Sequence, residues 1–170
     1  PSESARRAAL HGKWRNQLGR AERAGLRVTD GPLAPDPNHP LLLTAAAQAR
    51  VRRYAGWPPA LTAAFARVAP DQARLFTASI ERGPVAHMLF LCHGHGATYH
   101  VGHTNTEGRA LCAHNLLLWQ GANWLAARGH AWLDLGPLHS ATPGLTRFKL
   151  RTGARIQPTG GSWLYWRPWG

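Results

Sequence analysis

Residues 73–103 read ARLFTASIERGPVAHMLFLCHGHGATYHVGH, and this stretch decides the fold. Three runs rich in apolar, β-branched and aromatic residues, 73–81, 84–92 and 97–103, are separated by two short turns that contain glycine. Strands joined by turns this short run in opposite directions, because a parallel pair needs a long crossover connection. The stretch therefore predicts a three-stranded antiparallel meander.

The residues that follow the meander predict a crossover to a parallel strand. Apolar residues recur at helical spacing over 110–128, and Gly129 ends that helix. Residues 131–135 are mostly apolar and predict a buried strand. A meander with an added parallel strand is a mixed, mostly antiparallel sheet flanked by helices, of the α/β (α+β) class. Ligands bind at the carboxyl ends of parallel strands, which directs attention to 103–114 and 134–149.

The segments before and after this core follow from the same kinds of pattern. An apolar stripe at helical spacing, from Leu10 to Ala21, predicts a single helix over 4–24. The proline-rich stretch 30–40 predicts a loop. The other predicted elements are a strand at 26–29, helices at 40–54, 59–68 and 143–151, and strand material within 156–166.

Length and composition predict one globular domain over residues 1–170. A chain of 170 residues that is 44% hydrophobic can bury a core of its own. The first residue is proline, so the domain could be part of a longer chain. No apolar run approaches the roughly 20 residues of a membrane span, and the N-terminus lacks the apolar centre of a signal peptide. Cys92 and Cys112 alone make no disulfide framework, and we expect a cytoplasmic protein.

A net charge of +12 predicts a polyanionic partner. RNA, DNA, a phosphorylated cofactor, a nucleotide-linked substrate or an anionic membrane surface would suit it, and the simplest alternative is that the charge aids solubility. Lys13 and Lys149 are the only lysines among the 20 Lys and Arg residues. A lysine can lose its proton in a protein whereas an arginine does not, so these two positions are candidates for chemistry.

Two parts of the sequence resemble the FemABX aminoacyl transferases and related GNAT-like acyltransferases. The first comprises Trp132–Gly136 (WLDLG), Gly144–Lys149 (GLTRFK) and the pair 153–154. At these places the family has a strand with an aspartate and a glycine, a loop, and a short helix with a Phe-Lys pair and a glycine. The second comprises 13–16 (KWRN) and 21–26 (AERAGL), which are similar to the family's entry helix.

The resemblance implies a GNAT fold and the transfer of an amino acid from aminoacyl-tRNA to an amine. In the family the acceptor is commonly a peptidoglycan precursor, and relatives act on antibiotics or other small amines. FemABX proteins typically carry two GNAT-like domains, and the cleft between them usually holds the peptidoglycan precursor. This chain has room for one such domain.

Four residues are predicted to be catalytic: Lys149, Asp134, His103 and His139. Lys149 stands in the Phe-Lys pair, and the resemblance implies a role on the donor side, in oxyanion stabilisation or phosphate binding. Asp134 ends an otherwise apolar strand, where a carboxylate could accept a proton from the amine, orient the amine, or simply cap the following loop. A histidine ionises near neutral pH, which suits His103 and His139 to general base catalysis.

The turn 105–110 is predicted to bind the donor through Asn105, Gly108 and Arg109. It is similar to the coenzyme A loop of ordinary GNAT enzymes, in which backbone N–H groups at a helix start bind pyrophosphate. Asn105 replaces the usual Gln or Arg, and Glu107 adds a negative charge beside the site. The simpler interpretation is an ordinary helix N-terminus.

Basic residues elsewhere are predicted to contact phosphate. Arg147 and Arg151 flank the Phe-Lys pair and are candidate donor contacts. Lys13, Arg15 and Arg20 lie on the predicted N-terminal helix and are candidates for phosphate or acceptor binding. In each case the alternative is a solvated basic surface. Cysteine and histidine residues lack a standard zinc-site spacing, so no metal is predicted.

The sequence predicts an acyltransferase that forms an amide from an activated acyl donor and an amine. The leading hypothesis is an aminoacyl-tRNA donor, with tRNA as a partner, and a peptidoglycan precursor, small peptide or antibiotic-like molecule as the acceptor. The alternative donor is acyl-CoA, as in a GNAT N-acetyltransferase, and in neither case is a tightly bound cofactor expected. Two further hypotheses are a non-catalytic nucleic-acid-binding module and an acyltransferase domain that has lost its chemistry.

Overall fold

A computed structural model of the chain describes residues 2–52, 56–138, 142–158 and 160. Its helices are α1 (Glu3–Ala9), α2 (Gly12–Glu22), α3 (Pro40–Arg52), α4 (Pro59–Val68), α5 (Thr106–Ala110), α6 (Ala113–Ala127) and α7 (Pro143–Leu150). Its strands are β1 (Arg27–Pro32), β2 (Ala73–Ile80), β3 (Gly83–His93), β4 (Gly96–Thr104) and β5 (Trp132–Asp134). None of the helices in these ranges combines the length and the apolar character that crossing a membrane requires.

The described strands form a sheet in the order β1-β2-β3-β4-β5, which confirms the predicted class. β2, β3 and β4 are antiparallel, as the short turns between them predicted. β1 also pairs antiparallel with β2, although two helices separate them in sequence. The helix-containing crossover from β4 brings β5 alongside it in parallel. This parallel pairing is brief: it begins at Gly96 and Trp132 and ends at Thr98 and Asp134.

Helices cover both faces of the sheet and bury two separate clusters of apolar side chains. Successive side chains of a strand point to opposite faces, so β3 contributes to both clusters. Met88 and Phe90 pack on the face that α2 and α6 cover. Leu89 and Leu91 pack on the face that α3 and α4 cover. A strand buried on both faces needs no polar alternation, which is why this part of the sequence is a continuous apolar run.

The predicted single helix over 4–24 is wrong, because α1 and α2 replace it. Leu10 between them is extended, with φ −65° and ψ 136°. His11 donates its backbone N–H to the carbonyl O of Arg151, 2.9 Å away, so the turn after α7 holds the break in place. Leu10 remains in the apolar core, and the regular apolar stripe therefore concealed the break.

The predicted helix over 110–128 is also interrupted. Cys112 has φ 56° and ψ 32°, in the left-handed region that residues other than glycine seldom adopt. The chain turns there between α5 and α6, and α6 begins at Ala113. Apolar residues keep helical spacing across the turn, so the sequence pattern does not mark it.

Other boundaries of the predicted elements differ as well. β1 extends to Pro32, into the predicted loop, because the whole of β1 pairs with β2. The strand predicted at 131–135 was expected to be buried. In the structure it is the three-residue strand β5 at the edge of the sheet, and Trp132 is exposed. Residues 156–158 and 160 form no strand, and the rest of the segment predicted at 156–166 lies outside the described residues.

Replacing Gly121 by alanine tests the contact between α6 and the sheet. A Cβ at Gly121 would collide with the Phe90 ring, so the core would have to shift. Overpacking of this kind costs about 1–3 kcal/mol. We expect Gly121→Ala to lower the free energy of unfolding by that amount relative to a control glycine, as measured by urea denaturation.

Gly12→Ala is the matched control, because Gly12 also lies in a helix but a Cβ there would meet nothing within 4 Å. Alanine at an open helical site stabilises by about 0.4–1 kcal/mol. Equal effects of the two substitutions would show that α6 does not pack on Phe90 as described.

Candidate active site

A groove of about 1230 Å³ opens where β4 and β5 separate. The parallel ladder ends at Thr98 and Asp134, while β4 continues to Thr104. Strands that diverge stop exchanging backbone hydrogen bonds, so this edge of β4 faces the groove instead of β5. The groove reaches both faces of the sheet, since residues of α3 and α4 line it as well as residues of α6 and α7.

A β-bulge in β4 lies next to the point of divergence. Leu89 pairs with Val101 and Phe90 pairs with Tyr99, so His100 is an extra residue in the register. An extra residue bends its strand and increases the local twist. The bulge therefore changes the course of β4 directly after its last pair with β5.

The bulge places neighbouring side chains on different sides of the groove. His100 faces α4: its Nε2 lies 2.8 Å from Thr62 Oγ1, and its ring and that of Trp57 meet edge to face with centroids 4.9 Å apart. Burial lowers the pKa of His100 to about 4, so its ring is neutral at pH 7. The Tyr99 hydroxyl occupies the space in which a Cβ at Gly102 would lie, also in the groove lining.

Lys149 lines the groove although only 6% of its surface is exposed. Its Nζ donates a hydrogen bond to the carbonyl O of Pro137 at 3.0 Å. Burial lowers the pKa of Lys149, and the charge of the nearby Asp134 opposes that change. An ammonium group has three donor hydrogens, so the bond to Pro137 leaves capacity for a ligand.

The residue before Lys149 fixes the orientation of α7. Phe148 packs against Trp14, with ring centroids 5.9 Å apart. Consecutive helical residues point about 100° apart, so Phe148 can lie in the core while Lys149 turns toward the loop after β5. In that loop Gly136 has φ +75°, and Lys149 Nζ lies 3.6 Å from the place of its missing Cβ. Glycine adopts this left-handed conformation without strain, and the turn sets the loop beside the ammonium group.

Asp134 lines the groove at the exposed edge of the sheet. Its Oδ1 accepts the backbone N–H of Gly136 at 2.7 Å, which is the loop-capping contact of the simpler interpretation. The same carboxylate influences the pKa of Lys149. A carboxylate has two oxygens, so capping is compatible with proton transfer, and that role stays a prediction.

His103 lines the groove, and a neighbouring helix restrains its ring. The amide Nε2 of Gln48 on α3 lies 3.2 Å from His103 Nδ1. The contact holds the ring in place, its donor and acceptor depend on the ring tautomer, and the role of His103 as a base stays a prediction. His114, whose pKa is lowered by burial, donates from Nε2 to the carbonyl O of His103 at 2.9 Å and ties α6 to β4. His139 lies outside the described residues.

The predicted donor turn at 105–110 contains α5. The Oδ1 of Asn105 caps this helix by accepting the backbone N–H of Gly108 at 2.8 Å. Gly108 is buried, and a Cβ there would collide with the carbonyl O of Val85, so packing alone requires glycine. Gly108 and Arg109 line the groove, whereas Asn105 lies outside its lining.

The other predicted phosphate contacts lie outside the groove lining. Arg147 is exposed on α7, and Arg151 is partly buried in the turn after it. Lys13, Arg15 and Arg20 are exposed on α2. The predicted site residues that the groove brings together are Lys149, Asp134, His103, Gly108 and Arg109.

Tyr99 and Asn115 also line the groove and were missed in the sequence. Asn115 lies in the first turn of α6, is 5% exposed, and its Nδ2 has no hydrogen-bond partner among the described residues. A polar residue within the apolar face of a helix is a signal that could have found it, because buried amides need partners. The position of Tyr99 depends on the bulge, which no sequence pattern marks.

The order of elements and the mixed sheet agree with the predicted acyltransferase fold. A family model described as an acetyltransferase (GNAT) domain matches residues 12–150. The chain belongs to this GNAT family. Membership confirms the predicted fold family and the predicted enzyme class, an acyltransferase. No curated protein sequence matches the chain.

Solved structures share the GNAT fold at low sequence identity. FemX is 11% identical, with a TM-score of 0.68 over 90% of this chain and 56% of the FemX chain. A ribosomal-protein-alanine N-acetyltransferase from Brucella melitensis biovar Abortus 2308 is 15% identical, with a TM-score of 0.56 over 82% of this chain and 99% of its own. An aminoglycoside acetyltransferase from an uncultured soil metagenomic sample, solved with sisomicin, is 12% identical, with a TM-score of 0.55 over 84% and 97%.

The chain spans little more than half the length of the FemX chain. At these identities the likeness shows the fold alone. The donor and the acceptor of this GNAT domain therefore have to be argued from its own groove.

The low pKa of the partly buried His100 predicts an acid-dependent loss of stability. Its pKa is about 4 in the folded protein against 6.5 in the unfolded chain. As the pH falls below 6.5, the unfolded chain binds a proton that the folded protein does not bind. The free energy of unfolding therefore decreases until the pH passes 4, where the folded protein binds the proton too. At 1.36 kcal/mol per pH unit, we expect a loss of about 2–3 kcal/mol between pH 7 and pH 4.5.

The measurement is urea denaturation of the wild type and of His100→Gln at both pH values. Glutamine does not titrate, so between pH 7 and pH 4.5 the variant should lose about 2–3 kcal/mol less stability than the wild type. Comparing the two proteins removes the contribution of the other titrating groups. An equal loss in both proteins would contradict the buried, neutral state of His100.

Proposed function

We propose that this GNAT domain transfers an aminoacyl group from aminoacyl-tRNA to a primary amine and so forms an amide. The acyl carbonyl would lie at the divergence of β4 and β5, beside Lys149. The groove connects that point with both faces of the sheet, so a donor and an acceptor can approach it from different sides. Bringing the two reactants together in one orientation supplies much of the rate enhancement in such a reaction.

The chemical step needs no oxidant and no covalent intermediate on the protein. The amine nitrogen attacks the ester carbonyl carbon, a C–N bond forms, and the C–O bond to the ribose of tRNA breaks. One proton leaves the nitrogen, and the ribose oxygen takes up one proton. The ester is already activated, so the protein mainly has to orient the reactants and stabilise the negative oxygen of the tetrahedral intermediate.

Lys149 is our choice for stabilising that oxygen. It is a buried cation with donor capacity beyond its bond to Pro137. A charge shielded from water acts more strongly on a developing negative charge than an exposed one does. Asp134 lies close by and is our choice for taking the proton from the amine, with His103 as the second predicted base.

The observation that favours aminoacyl-tRNA over acyl-CoA is that the N-terminus of α5 is already capped and carries a negative charge. Asn105 already occupies the backbone N–H of Gly108, and Glu107 places a negative charge in the first turn. Both features disfavour a pyrophosphate at this helix start. The sequence resemblance to the FemABX aminoacyl transferases also supports the tRNA donor. The net charge of +12 suits a polyanionic donor of either kind.

Acyl-CoA is the second candidate donor, and a different helix start favours it. No side chain caps the N-terminus of α6 at Cys112. Uncapped backbone N–H groups attract anions, and Arg109, which lines the groove, lies just before them. In this case the C–S bond of the thioester would break, with the same proton balance.

The proposal includes no tightly bound cofactor. It also places the enzyme in the cytoplasm, where charged tRNA is available and where the free thiols of Cys92 and Cys112 would stay reduced.

A donor competition tests the proposal. The protein is incubated with charged tRNAs or with acetyl-CoA, each with a panel of small peptides and other amines, and new amides are detected by mass spectrometry. We expect product from charged tRNA and a reduction of about 10²–10³-fold in Lys149→Met, the usual effect of removing an electrostatic contact to the oxyanion. Arg82→Met, in the exposed β2–β3 turn, is the control and should retain full activity.

Product from acetyl-CoA alone would replace the proposal by the second candidate. Amide formation that Lys149→Met leaves unchanged would remove Lys149 from the mechanism. If neither donor reacts while RNA binds with a steep salt dependence, the hypothesis of a nucleic-acid-binding module replaces the enzyme.

A further inference from the structure

The α3/α4 side of the groove has an apolar wall. Ala45, Ala46 and Ala49 of α3 line it together with Trp57. Trp57 is 53% exposed, although burying a large aromatic side chain away from water is energetically favourable. Small alanine side chains and an exposed indole in one groove leave room for a flat apolar group.

The charged residues of the same groove are almost all cationic. Arg50 and Arg52 stand on the α3 side, and Arg109 and Lys149 stand on the other side. Asp134 is the one carboxylate among the described lining residues. An arginine fork matches the geometry of carboxylate and phosphate groups, so this groove complements an anion.

The histidine nearest to the apolar wall adds no charge to it. His100 has a pKa of about 4 because it is buried, and its Nε2 is already bonded to Thr62. The wall around Trp57 is therefore neutral, and the positive charge of this side comes from Arg50 and Arg52 at its border.

A cationic groove also suits the chemistry of an amine. An ammonium ion must lose a proton before its nitrogen can attack a carbonyl group. Neighbouring positive charges disfavour the ammonium form and lower its pKa, so a bound amine is held closer to its reactive, neutral state. An amine that carries several further positive charges would be repelled by the same residues.

We infer that the α3/α4 side of the groove is the acceptor subsite, and that it takes a primary amine on a flat apolar body that carries a carboxylate or a phosphate. The apolar body packs on the alanines of α3 and on Trp57, and the anion binds Arg50 and Arg52. The nitrogen then points through the gap between β4 and β5 toward the acyl carbonyl. Naming this ligand an acceptor rests on the proposed amide transfer, whereas its binding does not.

Binding without any donor tests this subsite by itself. Isothermal titration calorimetry compares glycyl-phenylalanine with its C-terminal amide, which differs in the carboxylate alone, and O-phosphotyramine with tyramine, which differs in the phosphate alone. We expect each probe with an anionic group to bind at least about 10-fold more tightly than its partner without that group, the usual contribution of a charge-assisted hydrogen bond. The carboxylate and phosphate pairs show which anion is preferred.

Substitutions then assign the contacts. Arg50→Gln with Arg52→Gln should remove the preference for the anion, and Trp57→Ala should weaken all four probes. Arg67→Gln is the matched control, because Arg67 is exposed on α4 outside the groove lining. Urea denaturation checks that each variant remains folded, as expected for exposed residues.

The inference would be overturned if the paired probes bound equally, or if the Arg50 and Arg52 substitutions left the preference for the anion unchanged. The polycation sisomicin serves as a fifth probe in the same titration. Tighter binding of sisomicin than of the anionic probes would also overturn the inference. Absence of binding by every probe would overturn it as well. If the anionic amines bind as expected but no donor reacts, the subsite stands and the proposed transfer fails. If amides form from polycationic amines alone, the transfer stands and the subsite fails.

Discussion

The early end of the parallel pairing between β4 and β5 is the constraint on which the site depends. The ladder stops at Thr98 and Asp134, although β4 continues to Thr104. The extra residue His100 changes the twist of β4 at that point, and the loop after β5 is bonded to Lys149 of α7 through the carbonyl O of Pro137. A longer parallel ladder would close the gap and with it the path between the two sides of the groove.

The polar groups that border the gap stabilise the fold less than apolar groups would. Lys149 is buried and donates a hydrogen bond to the carbonyl O of Pro137, Asn115 is buried with an amide nitrogen that has no partner among the described residues, and His100 is held neutral. Each arrangement costs free energy because polar groups lose their hydration on burial. Such costs gather at functional sites, where the unsatisfied capacity is available to a ligand.

The two sides of the gap have different chemistry, which in the proposed transfer would give the donor and the acceptor separate places. Lys149 and the start of α6 provide positive charge on one side, next to the place where an acyl carbonyl would lie. The α3/α4 side combines an apolar wall with arginines at its border. A donor and an acceptor of unlike chemistry would thus be sorted to opposite sides of one strand edge and meet at the gap.

The sequence by itself determined the GNAT class and the strand order through the meander and crossover, because periodicity, turn length and short motifs are local properties of the chain. It also pointed to Asp134, Lys149 and Gly108, which the structure places in the lining of one groove. It did not reveal the breaks at Leu10 and Cys112, because apolar spacing continues across both. Only the tertiary structure decided the bulge at His100 and the assembly of α3, β4 and α7 around one gap. Those features depend on register and packing between segments distant in sequence, which no local pattern encodes.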